Sequence, residues 1–568
     1  MFTAAKVLAL CPVRFLYLWS ANESESRTNV SFFCYSAGNT FVLLNDFFKT
    51  IKTNFMKKTI LTFAVVASIS TAAFNQGPIL VWEENLGGTA VDVATSIMAT
   101  PDGGTITGGY TNSNNGDVVG AISGTDAWIL KLDASGQAEW KTIIGGTGDD
   151  YCYSVIRDNA GNYVFAGTTN STNGDISVNL GGFDAWMVKL DASGNIIFSK
   201  TFGGSDDDAA YGVIQTIDLG YAFAGDSKSD MIAGNDNRGG YDCYVGKVNN
   251  AGSTVFQRLY GGSDDESLKS IAQTPNGDLY AAGETESNNF DVSGNHGGYD
   301  FYVLRMRKTG VLTWARTYGG TTNDNAHSII SSGKSIVIVG ETESNNGDVP
   351  ENNGGDDYWV LKIKITGATI FSKVFGGETS DIARSIINTG GGYIVVGESE
   401  SASGDVSSNF GNDDYWFIKL STNGNLMYEQ NYGGAITDIA YAVTQTQDGN
   451  YVVAGASQSE NVDVTDNNGN NDYWIIKLDN PDAKTAISDL PASSLLIYPN
   501  PTNGEININN SNNIASITII DHNGKTLLSR NTDNTNVELD LSAYASGIYF
   551  IKIVSVDGSQ QIAKIVKN

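Results

Sequence analysis

The sequence predicts an all-β protein: a seven-bladed β-propeller closed by an N-terminal strand, followed by a small antiparallel β-sandwich. Three observations carry this expectation. A Gly-Gly pair recurs at residues 87, 145, 203, 261, 319, 376 and 433, a spacing of 57 or 58 residues, and such a period marks a repeat architecture. Each period holds four short apolar-rich runs separated by turn residues, the make-up of a propeller blade. Composition agrees, with 65 Gly and only 9 Pro in 568 residues and 10% aromatic side chains.

Charge and hydropathy bound the function. The chain carries 63 acidic and 34 basic side chains, a net charge of −29. That argues against nucleic acid or an anionic membrane as partner, since both ask for a basic footprint. A hydrophobic content of 41% is too high for a disordered chain.

From the N-terminus, residues 1–55 resemble nothing that follows and read as a misassigned extension. Met56 begins a second plausible start: Lys57 and Lys58, the apolar run Ile60 to Ile69, then Ser70, Thr71, Ala72 and Ala73. This is the order of a signal peptide, 56–73, and the run is too short for a bilayer, which takes about 20 residues. The mature chain is expected to begin between residues 72 and 76. Cys11 and Cys34 precede that point, and Cys152 and Cys243 stand at unlike positions of neighbouring repeats, so their pairing stays open.

The propeller is assigned to 78–480. In its second repeat Tyr151 to Arg157, Tyr163 to Thr168, Asp184 to Leu190 and Ile196 to Phe202 read as the four strands. The seventh repeat stops at Leu478-Asp479, and Ile79 to Leu86 has the pattern of its missing strand. Closing the ring that way removes two exposed sheet edges. Small or apolar residues seven places after each Gly-Gly (Ala94, Cys152, Ala210, Leu268, Ala326, Ala383, Ala440) suit a crowded innermost strand. One aromatic per third strand (Trp128, Trp186, Tyr244, Tyr302, Trp359, Trp416, Trp474) suits packing between blades.

The loops entering the first and third strands lie on one face and are the long ones, which makes that face the functional one. Acids crowd them: Asp92, Asp150, Asp208, Glu266, Asp324, Asp381 and Asp438 at the first strands, and Asp126, Asp184, Asp242, Asp300, Asp357, Asp414 and Asp472 at the third. The face is therefore expected to be acidic, with loop capping as the main use of these groups. The basic residue five places into each third strand lies toward the other face. Two features break the symmetry. Eight residues after each Gly-Gly stand Thr95, Tyr153, Tyr211, Lys269, His327, Arg384 and Tyr441, expected at the channel mouth as ligand-binding residues. Glu284, Glu286, Glu341, Glu343, Glu398 and Glu400 occur only in the fourth to sixth repeats and form the candidate metal sector. No cofactor is named outright; calcium is the cation such carboxylates would take. No Asp-x-Asp-x-Asp-Gly loop is present.

After a linker at 481–494, residues 495–568 open with Leu-Leu-Ile-Tyr498-Pro499-Asn500-Pro501-Thr-Asn-Gly504. They continue through Gly547-Ile-Tyr549-Phe-Ile-Lys and end in Lys564-Ile-Val-Lys567. This resembles the type A C-terminal sorting domain of the bacterial type IX secretion system. The resemblance implies a β-sandwich, export through the periplasm and across the outer membrane by the secretion machinery, then release or surface attachment. The repeats likewise resemble Gly-Gly-x-x-x-Asp propellers of exported bacterial proteins.

Catalysis finds no foothold in the sequence. Beyond residue 73 the only histidines are His296, His327 and His522, which stand apart, and no nucleophile elbow is present. The leading expectation is a monomeric, non-catalytic surface or secreted propeller that binds a glycan, a protein or a cation. The alternatives are a polysaccharide-degrading, glycanase-like enzyme and a scaffold without a specific ligand.

Overall fold

The structure, a computed structural model, describes residues 77–121, 123–482, 495–521, 525–556 and 560–568. The expected signal peptide, the extension before it and most of the linker lie outside these residues.

Seven four-stranded antiparallel sheets follow one another between Leu80 and Leu478. In the second repeat the strands are Asp150–Arg157, Tyr163–Thr169, Asp184–Leu190 and Ile196–Phe202, within a residue of the sequence reading. The third strand of each sheet is buried almost throughout. That is why these segments read as near-continuous apolar runs, whereas the half-exposed outer strands alternate.

The seventh sheet combines Asp438–Gln445, Tyr451–Ser457 and Asp472–Leu478 with Leu80–Leu86. The N-terminal strand pairs antiparallel with Asp472–Leu478, Glu84 opposite Ile475 and Leu86 opposite Tyr473. Glu83 on it accepts the Trp474 indole N–H at 3.0 Å, as Glu429 does for Trp416 within the sixth sheet. A strand some 390 residues distant thus does the work of a local one.

Neighbouring sheets share their cores. Tyr415 lies 4.4 Å from the Trp474 ring and donates its hydroxyl to the Trp474 carbonyl at 2.8 Å. Tyr473 repeats both contacts on Trp128, at 4.6 Å and 3.0 Å, so the seventh sheet meets the first as the sixth meets the seventh. Ala94, Trp128 and Leu130 from the first sheet accordingly share one cluster with Val452, Ala454 and Ile475. Burying each such ring contributes about 1.5–3 kcal/mol.

The third repeat departs from the pattern. Its innermost strand is cut to Gly212–Gln215 and its long loop forms a small hairpin, Met231–Ile232 with Asn235–Asp236. Gly212 offers the strand no side chain to pack. Ile232 plugs the sheet edge, where other loops use the Val or Ile after Asp, such as Val118 and Ile176. Cys152 and Cys243 are both free and buried, in separate clusters.

The C-terminal domain has five antiparallel strands: Leu495–Tyr498, Glu505–Asp521, Thr526–Asp540, Gly547–Ser555 and Gln560–Lys567. The expected sandwich is built from one continuous sheet. Its long hairpin, Glu505–Asp521 with Thr526–Asp540, carries Leu495–Tyr498 on its first half and Gly547–Ser555 on its second, with the register broken between Asn509 and Ile514. Ile506 and Ile508 from one half and Ile517, Ile519 and Ile551 from the other fill a single core.

Candidate functional site at the centre of the ring

The repeated acids do not make an acidic surface, which corrects the expectation from sequence. All fourteen are at most 1% exposed. The acid at the start of each first strand closes its own loop. Asp150 accepts the Gly146 N–H at 2.7 Å, the Ser171 hydroxyl at 2.7 Å and the Thr169 hydroxyl, and the pattern returns in Asp92, Asp324 and Asp438. In six repeats the acid opening the third strand accepts a backbone N–H four residues upstream, as Asp242 does from Arg238 at 3.1 Å and Asp300 from His296 at 2.9 Å.

The two sets meet between sheets. A Cβ on Gly376 would stand 2.0 Å from Asp357 Oδ1 and 2.6 Å from Asp381 Oδ2. The same happens at Gly319 with Asp300 and Asp324, and at Gly433 with Asp414 and Asp438. The first glycine of each Gly-Gly therefore leaves room for a carboxylate from one repeat to face a carboxylate from the next. In Asp184, Asp242, Asp300, Asp357, Asp414 and Asp472 the facing oxygen receives no hydrogen bond. Two such carboxylates side by side retain a proton. Burial first, then the neighbouring carboxylate, lifts Asp184, Asp242, Asp357 and Asp414 to about 7 and Asp472 to about 6.

On the other face, five of the third-strand cations find carboxylate partners in the turns between first and second strands. Lys131 reaches Asp102 at 2.9 Å, Lys189 reaches Asp158 at 3.1 Å, Arg305 reaches Asp278 at 2.7 Å and Lys477 reaches Asp448 at 2.9 Å. Burial opposes ionisation there. Hydrogen bonds from Thr or Asn side chains and from the lysines win, and hold Asp102, Asp158 and Asp448 at about 2.

Six of the seven varied residues contact a neighbour of their set, in two runs, though not through simple strand alternation. In six repeats this residue is the extra one of a β-bulge, for example Tyr153 between Cys152 and Ser154 and His327 between Ala326 and Ser328. A bulge leaves its residue unpaired and re-aims the side chain. Neighbours then reach one another around the ring. Tyr153 lies 5.1 Å from Tyr211, Lys269 Nζ sits 4.8 Å over Tyr211, Arg384 approaches His327 at 3.5 Å and lies 6.0 Å over Tyr441. Thr95 spends its hydroxyl on the Cys152 carbonyl at 2.8 Å.

The six glutamates do not gather into one sector for a metal. Glu284 pairs with Lys269 at 3.1 Å, Glu341 with His327 and Glu398 with Arg384 at 2.5 Å. The first member of each Glu-x-Glu is thus the partner of its own repeat's basic residue, while Glu286, Glu343 and Glu400 are exposed. Among the described residues no three His, Cys, Asp or Glu side chains stand together as a metal site.

Sequence reasoning missed Tyr110, Tyr151 and Asp226. Tyr110 packs edge-on to Tyr151 at 5.0 Å, and Tyr151 stacks on Tyr153 at 5.9 Å. One half of the belt is consequently aromatic and the other ion-paired. Asp226 is 7% exposed and accepts the Ser267 hydroxyl at 2.6 Å, while Lys269 donates to that same oxygen at 2.8 Å. Burial raises Asp226 to about 6, Glu284 adds to the rise, and Lys269, Ser267 and Tyr211 offset it. Asp226, Ser267, Lys269 and Glu284 line a cleft of about 140 Å³ with Tyr241, Asp265, Glu266 and Tyr299.

The C-terminal motif residues, distant in sequence, also meet. Asn500 donates to the Lys564 carbonyl at 2.7 Å and accepts the Val566 N–H at 2.9 Å. Lys567, 9% exposed, donates to the Tyr544 carbonyl at 2.6 Å, and the Tyr549 hydroxyl to that of Ala545 at 2.6 Å. A Cβ on Gly504 would stand 2.3 Å from the Ser542 hydroxyl. The Pro499-Asn500-Pro501 segment thereby latches the last strand, and Gly547 opens the strand paired with it.

Comparison with known proteins matches one domain and finds distant similarities over the rest of the chain. Regulatory protein FlaEY of Caulobacter vibrioides is 22% identical over 231 residues, 37% of this chain, and the match spans only 24% of that protein. A fungal alcohol oxidase of the AA5 family bound to copper is 13% identical, with 86% of this chain and all of that one covered and a TM-score of 0.39. PorZ of Porphyromonas gingivalis, a surface component of the type IX secretion system, is 10% identical, covering 87% and 86% at a TM-score of 0.29. Residues 496–568 match the family described as the secretion system C-terminal sorting domain. The chain is therefore a type IX secretion cargo, engaged by that machinery through its C-terminal domain and delivered to the medium or the cell surface.

Proposed function

We propose that this exported protein is a non-catalytic binding or adhesion module, with 78–480 as the binding unit and 495–568 as its address. Its ligand, a glycan or a protein, would sit over the centre of the ring on the long-loop face. One observation carries the reading. The residues eight places after each Gly-Gly differ in chemistry from repeat to repeat, and six of them touch in two runs, Tyr153–Tyr211–Lys269 and His327–Arg384–Tyr441. A belt of contiguous aromatic and charged side chains, half-buried on rigid strands, is what a binding site needs. A repeated structural role would have kept one residue type. The test is a glycan array and a protein-binding screen with the exported chain, beside a panel of glycoside hydrolase substrates. Binding that falls at least tenfold in Tyr153→Ala with Arg384→Ala supports the reading; hydrolysis of any substrate, or a ligand indifferent to both changes, overturns it.

A further inference from the structure

The two halves of the central belt differ in what they have left to offer. In the fourth to sixth repeats each basic residue is answered from the second strand of its own sheet, by Glu284, Glu341 and Glu398. The polar groups there are spent inside the chain. The first repeat has Tyr110 at the corresponding second-strand place, opposite Val93 as Glu341 stands opposite Asn325. Tyr110 meets Tyr151 of the second repeat, which in turn stacks on Tyr153. All three rings are half-buried. Among the described residues none shares a hydrogen bond with their hydroxyls. Tyrosines that pack between sheets behave otherwise: Tyr358, Tyr415 and Tyr473 donate to the carbonyls of Trp416, Trp474 and Trp128 at 3.0, 2.8 and 3.0 Å. Rings needed in the belt for packing alone could be phenylalanine.

The geometry and charge of these rings say what would meet them. Tyr151 and Tyr153 lie within 4° of parallel, with Tyr110 turned 73° from Tyr151 and Tyr211 turned 47° from Tyr153. Phe183, at the end of a long loop, lies 6.4 Å from Tyr151 and extends the aromatic surface. The result joins a π-face to a free hydroxyl at three successive points. A pyranose has the matching make-up, a C–H face edged with hydroxyls, and few but well-placed polar groups suffice to orient it on aromatic walls. Peptide side chains would draw instead on the ionic groups that the other half has already spent. Charge narrows the choice further. Asp226 acts on both Tyr153 and Tyr211, and Lys269, the ammonium over Tyr211, is held by Glu284, so an acidic sugar would be repelled.

We propose that the aromatic half of the belt, Tyr110, Tyr151 and Tyr153, binds a neutral oligosaccharide by stacking its pyranose rings and hydrogen-bonding their hydroxyls. This rests on the binding-module reading and names the class of its ligand. The experiment is isothermal titration calorimetry of the full exported chain with maltohexaose, cellohexaose, mannohexaose and chitohexaose, and with hexagalacturonate as the acidic probe. At least one neutral hexasaccharide should bind, and hexagalacturonate at least about tenfold more weakly than it. Tyr151→Ala should weaken that sugar at least about tenfold. Tyr153→Phe keeps the ring and loses only the hydroxyl; it should weaken the sugar about threefold to fivefold at an unchanged melting temperature. A purely structural Tyr153 would not show that combination. Full binding by both variants, a preference for hexagalacturonate, or no binding of any neutral hexasaccharide would each overturn the proposal. If no sugar binds while a protein dependent on Tyr153 and Arg384 does, the glycan assignment falls and the binding-module reading stands. If a neutral sugar is bound through these tyrosines and also hydrolysed, the assignment stands and the non-catalytic reading falls.

Discussion

Asp357 shows what the facing carboxylates do to stability. It is fully buried, accepts the Asn353 N–H on one oxygen and faces Asp381 across Gly376 with the other. Burial lifts it from 3.8 to about 7; the Asn353 hydrogen bond opposes the rise, and the charges of Asp381, Asp405 and Asp356 add to it. The unfolded chain releases this proton near the ordinary carboxyl value, whereas the folded ring keeps it. The stabilisation is therefore complete below about pH 4 and is lost as pH rises through about 7. A rise of about three units sets an upper bound near 4 kcal/mol for one site. Coupling of its titration to that of Asp381 brings it to about 1–2 kcal/mol. Asp357→Asn tests this directly. The amide oxygen still accepts from Asn353, and the amide N–H donates to Asp381 without needing a bound proton. In circular dichroism melts the variant should match the parent at about pH 5 and melt about 2–4 °C higher at about pH 8.5. A variant equally destabilised at both values would refute the shared-proton account.

How much of this could be read from the residues follows from where each partner lies in the chain. The repeat, the four strands and the closing strand were legible because each sheet must present the same apolar faces, and a missing strand leaves a countable gap. The carboxylate pairs were not. Asp472 faces Asp92 across the ring closure, and spacing within one repeat cannot show what the next repeat brings against it. Acids in loops were accordingly read as surface. The bulge was also hidden, because alternation assumes one residue per rung. The ion pairs, by contrast, had a signal that went unused. The three repeats with a basic residue at the eighth position, Lys269, His327 and Arg384, are the same three that hold Glu284, Glu341 and Glu398. Charge and counter-charge rising together in the same copies is what a pair across a hairpin demands.

Three further outcomes are expected. Deleting Leu80–Leu86 strips the edge of Asp472–Leu478 and the Glu83 partner of Trp474, so the variant should aggregate on size exclusion and melt well below the parent; a monomeric, unchanged profile would show the ring closing without that strand. Gly376→Ala forces a methyl between Asp357 and Asp381 and should cost about 1–3 kcal/mol in denaturant titration; a neutral result would mean the pair has room to part. The third concerns the address. Removing 495–568 should leave the protein in the periplasm, but that alone does not separate a linear signal from a folded one. Asn500→Ala does, because it deletes the two hydrogen bonds that hold the Pro499–Pro501 segment to Lys564 and Val566 while keeping every other motif residue. Those bonds are partly solvated and are worth about 0.5–1.5 kcal/mol each, enough to speed exchange of the Val566 amide about tenfold without unfolding the domain. If the machinery recognises the latched strand, export should fall in step with that exchange rate; export at the parent level despite a freed Val566 amide would show that the motif is read as sequence.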